Sequence, residues 1–285
     1  MKSSAPLVVD NAWQQLRQFT AARIALGRSG VSQPTRSHLA FQLAHAQARD
    51  AVHLGLDVTR LASDLERLDC AGSGGAAVCV VLESAAPDRL TYLQRPDLGR
   101  RLSDASRDRL IAHDDADQTC DVVFVIADGL SARAVSQHAA PLMYTVLRNL
   151  SRDGCHIAPI TVVTQARVAI GDEVGQLLRA KLVVLLIGER PGLSSPDSLG
   201  VYMTWMPRIG LTDASRNCIS NIRPEGLPVK AAALKVNYLM REMKSRGLSG
   251  VALKGESKAE TLNEPTGHAR VVNAPSRNFL LEPPG

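Results

Sequence analysis

The segment LLIGERPGLSS at residues 185–195 runs an aliphatic stretch straight into Glu189 and Arg190, held between Gly188 and Gly192. A carboxylate fixed at such a point can accept hydrogen bonds, ligate a cation or meet a ribose. Two further segments end in the same manner: DVVFVIADGL closes on Asp128 and Gly129, and IAPITVVT leads into residues 165–168. The bland reading has Gly188 and Pro191 stopping a strand while Glu189 and Arg190 are solvated or paired with each other. Position alone leaves the two readings about level, since loops carry function disproportionately but most loops do not.

Other chemistry-bearing patterns are weaker. GSGGAA at 72–77 matches G-x-G-x-x-A, but a dinucleotide fingerprint needs a strand before it and a helix after it, and here the order is reversed. DGLSAR has Gly129 two before Ser131 but Arg133 two after it, which is no nucleophile elbow; Ser131 is expected to cap a helix. His38 and His45 lie seven residues apart without a carboxylate or thiol alongside and suit a polar helix face better than a metal. Cys218, ahead of a short expected strand CISNI, carries little weight on its own, because free cysteine is usually buried and inert. No catalytic residue and no metal ligand set is assigned.

The elements that must position these residues follow from periodicity. From about residue 120, strands apolar on both faces alternate with helices (the stretch 131–150, GDEVGQLLRA), which predicts a parallel sheet with crossover helices. In such sheets ligands bind beyond the carboxyl ends of the strands, so Asp128, residues 165–168 and residues 188–192 should share one rim. After GERPG an irregular stretch is expected up to Arg216, then CISNI and a last helix from Val229 to Arg246. RLTYLQRPDLGRRL reads as a short strand leading into a turn. Residues 11–70 favour helices. The clearest runs from Ser37 to His53, with Leu39, Leu43, Ala46 and Ala51 in one stripe and His38, Gln42, His45, Arg49 and His53 in another. The fold class expected is α/β: a Rossmann-like, mostly parallel sheet with flanking helices, preceded by an N-terminal helical arm. The boundaries are 1–70 for the arm, 71–253 for the α/β domain and 254–285 for an aperiodic tail expected to be disordered.

Composition narrows the function classes. With 285 residues and 45% hydrophobic content the chain can bury a proper core, built mainly from aliphatics because aromatics make up 4%. A net charge of +5 carried on scattered basic residues argues against nucleic acid or a membrane surface as partner. Five cysteines without a C-x-x-C pair fit reduced thiols in a cytoplasm, and neither an apolar leader nor an 18-residue apolar run is present. A binding rim without nucleophile, metal cluster or phosphate loop points to cofactor chemistry or to a partner that supplies the reacting groups.

Five segments resemble one known family in order and spacing: LAFQLAHAQARDAVH at 39–53, YLQRPDLGRRL at 92–102, VIADGLSARAV at 125–135, LIGERPGLSSPDSLGVYMTWMPR at 186–208 and RNCISNIRPEGLP at 216–228. They are similar to the small (light) chain of ethanolamine ammonia-lyase, over about residues 10–253. The resemblance implies an adenosylcobalamin-dependent lyase that converts ethanolamine to acetaldehyde and ammonia. A large subunit would hold the substrate and most catalytic residues, and the two chains would form a hetero-oligomer. It carries cobalamin contacts onto Val168 of QARVAIGDE, Glu189 of GERPG and Cys218 of RNCISNI. None of the seven histidines has Asp two residues before it, so the D-x-H-x-x-G cobalt-ligating motif is absent and the cofactor is expected to keep its own lower base. The short segment before residue 10, where some relatives carry an extension, and the tail after about Lys254 have no recognised counterpart. Location would be cytoplasmic, with a bacterial microcompartment as the alternative. Two competing functions remain: a stand-alone nucleotide-binding α/β enzyme using Asp128 and Glu189 as metal or ribose ligands, and a purely structural partner subunit.

Overall fold

A computed structural model describes residues 7–68, 78–112, 119–150 and 155–253. Residues 12–19 form a short 3-10 helix begun by Asn11, whose side chain accepts from the Trp13 N–H. Helices α1 (Thr35–His53) and α2 (Val58–Glu66) follow, then strand β1 (Cys79–Glu83), helix α3 (Arg89–Gln94) and helix α4 (Asp104–Ala112). The alternating part comprises β2 (Val122–Ala127), α5 (Ala132–Leu150), β3 (Ile160–Thr164), α6 (Ile170–Leu177) and β4 (Leu182–Gly188). Strands β5 (Leu199–Trp205) and β6 (Asn217–Ile222) and helix α7 (Val229–Arg246) complete it.

The six strands form one sheet in the order β1-β3-β2-β4-β5-β6. The pairings β1–β3, β3–β2 and β2–β4 are parallel, whereas β4–β5 and β5–β6 are antiparallel. The architecture is therefore mixed α/β. Every residue of β2 and β4 is buried, as expected of strands covered on both faces. One core layer packs Phe124, Ile126, Val184 and Leu186 against α2, α5 and α7. The other packs Val123, Val125, Val183 and Leu185 against α4 and α6. Each such aliphatic side chain contributes about 1.5–3 kcal/mol on burial. α2 sends Leu61 and Leu65 into the first layer, so this helix is part of the sheet's own core.

The structure corrects three expectations. RLTYLQ is helix α3 and not a strand: the Asp88 carboxylate accepts from the Thr91 N–H at 2.8 Å, and this cap starts a helix that the aromatic and β-branched content of the segment conceals. The stretch between GERPG and Arg216 contains β5, a fully formed strand masked in the sequence by its serine, proline and glycine neighbours and by Gly200. The expected strand CISNI, which begins at Cys218, is found as β6. In α1 the stripe expected to pack is also displaced: Ala44, Ala48 and Ala51 are buried, whereas Leu39 and Leu43 are each 61% exposed. The polar stripe faces outward, with His38 and Gln42 side chains 2.9 Å apart and His45 stacked on Phe41. Ser131 caps α5 as expected, its hydroxyl accepting from the Ala134 N–H at 3.2 Å.

The carboxyl ends of β2 and β4 meet backbone to backbone. Gly129 adopts φ +57°, a conformation that costs an ordinary L-residue about 1 kcal/mol, and a Cβ there would lie 2.2 Å from the Gly188 carbonyl oxygen. A Cβ on Gly188 would lie 2.1 Å from the Ser131 carbonyl oxygen and 2.5 Å from that of Asp128. Since backbone cannot swing aside like the end of a side chain, Gly188→Ala is expected to destabilise the chain by about 3 kcal/mol. Gly210→Ala, at a glycine with open space around it, should cost no more than about 1 kcal/mol for its φ of +96°. Urea denaturation of the two variants checks the difference; equal midpoints would mean that the close approach is not a constraint.

Candidate functional site

Asp128, the first of the strand-end carboxylates, is 3% exposed and already committed. Its Oδ1 accepts from the Ala166 N–H at 3.1 Å and its Oδ2 from Arg89 Nη1 at 3.2 Å. Arg89 also donates to the carbonyl oxygens of Gly129 at 2.8 Å and Val52 at 2.7 Å, so it ties the end of α1 to the end of β2. Burial raises the Asp128 pKa, opposed by Arg89 and by backbone N–H groups. This residue builds the rim and does not face it. The chain leaves β3 through Gln165, held at φ +56°, a conformation that stores strain in a residue other than glycine. Val168 follows, half-buried against the α6-side core layer.

Glu189 is half-buried, with one oxygen satisfied and the other not. Oε2 accepts from the Ser198 hydroxyl at 2.5 Å and from the Asn221 N–H at 3.1 Å, while the Glu189 N–H donates to the Ser198 carbonyl at 2.9 Å. Oε1 has no hydrogen-bond partner among the described residues. Gly200, next on β5, makes room for this carboxylate, because a Cβ there would lie 2.9 Å from Oε1. Arg190 is exposed and makes no ion pair with Glu189 among the described residues, so of the bland reading's two options it follows the solvated one.

Glu189 stands at the margin of the sheet, beside the outer face of edge strand β6, where Cys218 and Ser220 are exposed. On β5 and β6, Val201, Met203, Ile219 and Ile222 point into the core layer under α5 and α7. Tyr202 points to the opposite face, half-buried, and its cross-strand partner Cys218 is exposed, as is Ser220. The Tyr202 hydroxyl and the Cys218 thiol lie close enough to influence each other's ionisation. Cys218 reaches the surface, yet its packed neighbours desolvate the thiol and push its pKa up, the Glu189 charge adding to the rise and the Tyr202 hydroxyl opposing it. Glu189 and Cys218 are thus in electrostatic contact across Tyr202. Val168 packs on the same core layer as Tyr202 but lines a separate cleft of about 760 Å³, together with Arg167 and Arg216. Residues that the sequence did not single out complete the arrangement: Ser198 just before β5, Gly200 and Tyr202 on β5, and Asn221 on β6. Only the strand pattern of β5 could have signalled them.

Among the described residues no three His, Cys, Asp or Glu side chains are grouped to hold a metal ion. No helix among them is long and apolar enough to cross a membrane. A mixed α/β sheet with a preformed polar margin and an exposed edge strand defines a class of chain that can present a surface to a ligand or to another chain. The family model described as ethanolamine ammonia-lyase light chain matches residues 10–254. A chain from Azotobacter vinelandii named ethanolamine ammonia-lyase small subunit is 56% identical over 255 residues, 89% of this chain and 92% of that one. Chains of the same name from Pseudomonas fluorescens and Ralstonia nicotianae are 52% and 54% identical, each spanning at least 96% of both partners. The chain belongs to the ethanolamine ammonia-lyase light-chain family and is a small-subunit component of that lyase. The Pseudomonas alignment spans 280 residues, so most of the segment after Lys254 does have a counterpart, contrary to the expectation above.

The shared environment of Glu189 and Cys218 has a measurable consequence. Alkylation of Cys218 by iodoacetamide at pH 8 should be slower than that of an unperturbed thiol, because the thiolate is the reactive form. Glu189→Gln removes the charge that raises the thiol pKa and should speed the reaction about threefold; Tyr202→Phe removes the opposing donor and should slow it. Rates that do not move in opposite directions would show that the two groups do not set the thiol.

Proposed function

We propose that this chain completes an adenosylcobalamin-dependent ethanolamine ammonia-lyase, which converts ethanolamine to acetaldehyde and ammonia. A large subunit holds the substrate and most catalytic residues, and the present chain contributes Val168, Glu189 and Cys218 to cofactor binding. The carrying observation is the half-satisfied Glu189 carboxylate beside the exposed side chains of edge strand β6. The periphery of a corrin bears amides whose N–H groups are donors, and a carboxylate fixed through one oxygen offers them the other as a charge-assisted acceptor. Val168 and Cys218 offer small, weakly polar surface. When bound, the cofactor supplies radical chemistry from its cobalt–carbon bond; this chain's residues bind, orient and exclude water.

Several finer readings belong with this proposal. The half of the sheet from β1 to β4 is read as Rossmann-like. Residues 1–70 are read as an arm toward the large subunit, residues 71–253 as the cofactor-contacting domain and residues 254–285 as a dispensable tail. Support for the arm comes from exposed apolar side chains there: Trp13 (63%), Phe19 (78%), Leu39 and Leu43, more than a surface facing only water would carry. The cysteines at 79, 120, 155 and 218 form no disulfide among the described residues, which suits a reducing cytoplasm, with a microcompartment as the alternative location. The stand-alone nucleotide-binding alternative fares poorly, since Asp128 is buried and paired with Arg89 and so unavailable to a metal or a ribose.

Co-expression with the large subunit, followed by assay of ammonia release with and without adenosylcobalamin, tests the reading. The complex should turn over only with cofactor, and the isolated chain not at all. In assembled complexes, Glu189→Leu is expected to weaken binding of cyanocobalamin about tenfold to a hundredfold, as loss of a charged acceptor costs about 1–3 kcal/mol. Equal dissociation constants would move the cofactor contact elsewhere. Leu39→Asp with Leu43→Asp should reduce co-purification of the two chains, whereas unchanged assembly would return α1 to solvent.

A further inference from the structure

The cleft beside Val168 is unusual in its charge. Five arginines line it, at 100, 101, 107, 167 and 216, against three carboxylates, Asp172, Glu173 and Asp213. The carboxylates are all committed. Arg107 Nη2 lies 2.7 Å from Glu173 Oε1, whose other oxygen accepts from the Leu102 N–H at 2.8 Å. Arg216 is buried against Asp172 and lies 3.0 Å from Asp213. Burial pushes the Asp172 pKa up to about 6, with Arg216 opposing the rise. Among the described residues Arg100, Arg101 and Arg167 are then left without an ion pair, and the carboxylate that Arg101 feels, Asp97, is itself bound by Arg95 at 2.8 Å.

These three are placed and not merely nearby. The Arg167 N–H donates to the Gly99 carbonyl at 2.7 Å, which sets residue 167 beside the 99–101 segment. The Arg167 guanidinium lies over the Tyr92 ring at 4.3 Å and donates from Nη2 to the Tyr92 carbonyl at 3.4 Å, while its buried Nε has no acceptor. Arg100 and Arg101 are exposed, and their guanidinium groups make no hydrogen bond among the described residues. The backbone N–H groups of Val168 and Ala169 likewise donate to no acceptor among the described residues. A cleft of about 760 Å³ with three guanidinium groups that make no ion pair among the described residues, beside free amide donors, is complementary to a bulky organic anion.

We infer that this cleft binds a phosphodiester, the one in the nucleotide loop of the cofactor, through Arg100, Arg101 and Arg167. The inference rests on the cobalamin reading above and extends it from the corrin periphery to the charged part of the molecule. Among the cofactor's peripheral groups the amides are neutral and the phosphodiester is the anion. Val168, which lines the same cleft, joins this anion site to the proposed corrin contacts.

The test uses the complex with the large subunit and two corrinoids: cyanocobalamin, which has the nucleotide loop, and dicyanocobinamide, which lacks the loop and its phosphate. Arg100→Ala with Arg101→Ala changes two exposed side chains and should leave assembly intact. It is expected to weaken cyanocobalamin about tenfold or more and cobinamide by less than about twofold, with Lys at both positions restoring most of the loss. The salt dependence of cyanocobalamin affinity should flatten in the double variant. Equal losses for the two corrinoids, or no loss for either, would overturn the inference. So would inorganic phosphate that binds the cleft without competing with cyanocobalamin, since the site would then take free phosphate. If the wild-type complex binds neither corrinoid, the cobalamin reading itself falls, a result visible before any variant is compared.

Discussion

The approach of Gly129 to Gly188 at the carboxyl ends of β2 and β4 is the constraint from which the rest of the site follows. No side chain fits between these backbones, and the Leu130 N–H donates to the Gly188 carbonyl at 2.9 Å across the gap. With the two strand ends locked, α5 must begin at Ala132 under the cap of Ser131, and residue 189 must leave β4 toward β5. The Ser131 hydroxyl also donates to the Pro196 carbonyl at 2.8 Å, so the helix cap restrains the loop that delivers Ser198 to Glu189. A local glycine requirement thus becomes the placement of a carboxylate.

The two halves of the sheet divide the labour. The parallel half is covered on both faces and carries the stability, with β2 and β4 wholly buried. In the antiparallel half the outer face of β5 is largely buried, with Gly200 and Thr204 covered and Tyr202 half-buried, whereas Cys218 and Ser220 on edge strand β6 are exposed and can meet another molecule without unfolding anything. Strand-end charge divides in the same manner. Asp128 and Arg89 pair inside and bind three elements together, whereas Glu189 keeps one oxygen for the outside. Leaving one lone pair of a fixed carboxylate unmatched is tolerable at a half-buried position and would be costly deeper in the core. This suits a chain that belongs to a small-subunit family and works as one component of a lyase.

Much of the framework was legible in the chain itself. Helix α7 spans Val229–Arg246 as periodicity predicts, and β2, β3 and β4 fall where β-branched runs place them, because fully buried strands write their environment into uninterrupted apolar stretches. The five segments that resemble the ethanolamine ammonia-lyase light chain likewise determined the family, since residue identity at specific spacings survives without any knowledge of contacts. What only the tertiary structure decided lies where local and long-range preferences compete. Asp88 caps an apparently strand-like segment so that it starts α3, accepting from both the N–H and the hydroxyl of Thr91. β5 draws its existence from pairing with β4 on one side and β6 on the other, a partnership that a strand containing Gly200 does not announce locally. Which face of α1 is buried depended on what packs against it, and only small alanines fit there. The same holds for the site: Glu189 could be picked out by type and position, but that one of its oxygens is bound by Ser198 and Asn221 while the other remains available was set by residues 9 and 32 positions away, brought to it by the sheet.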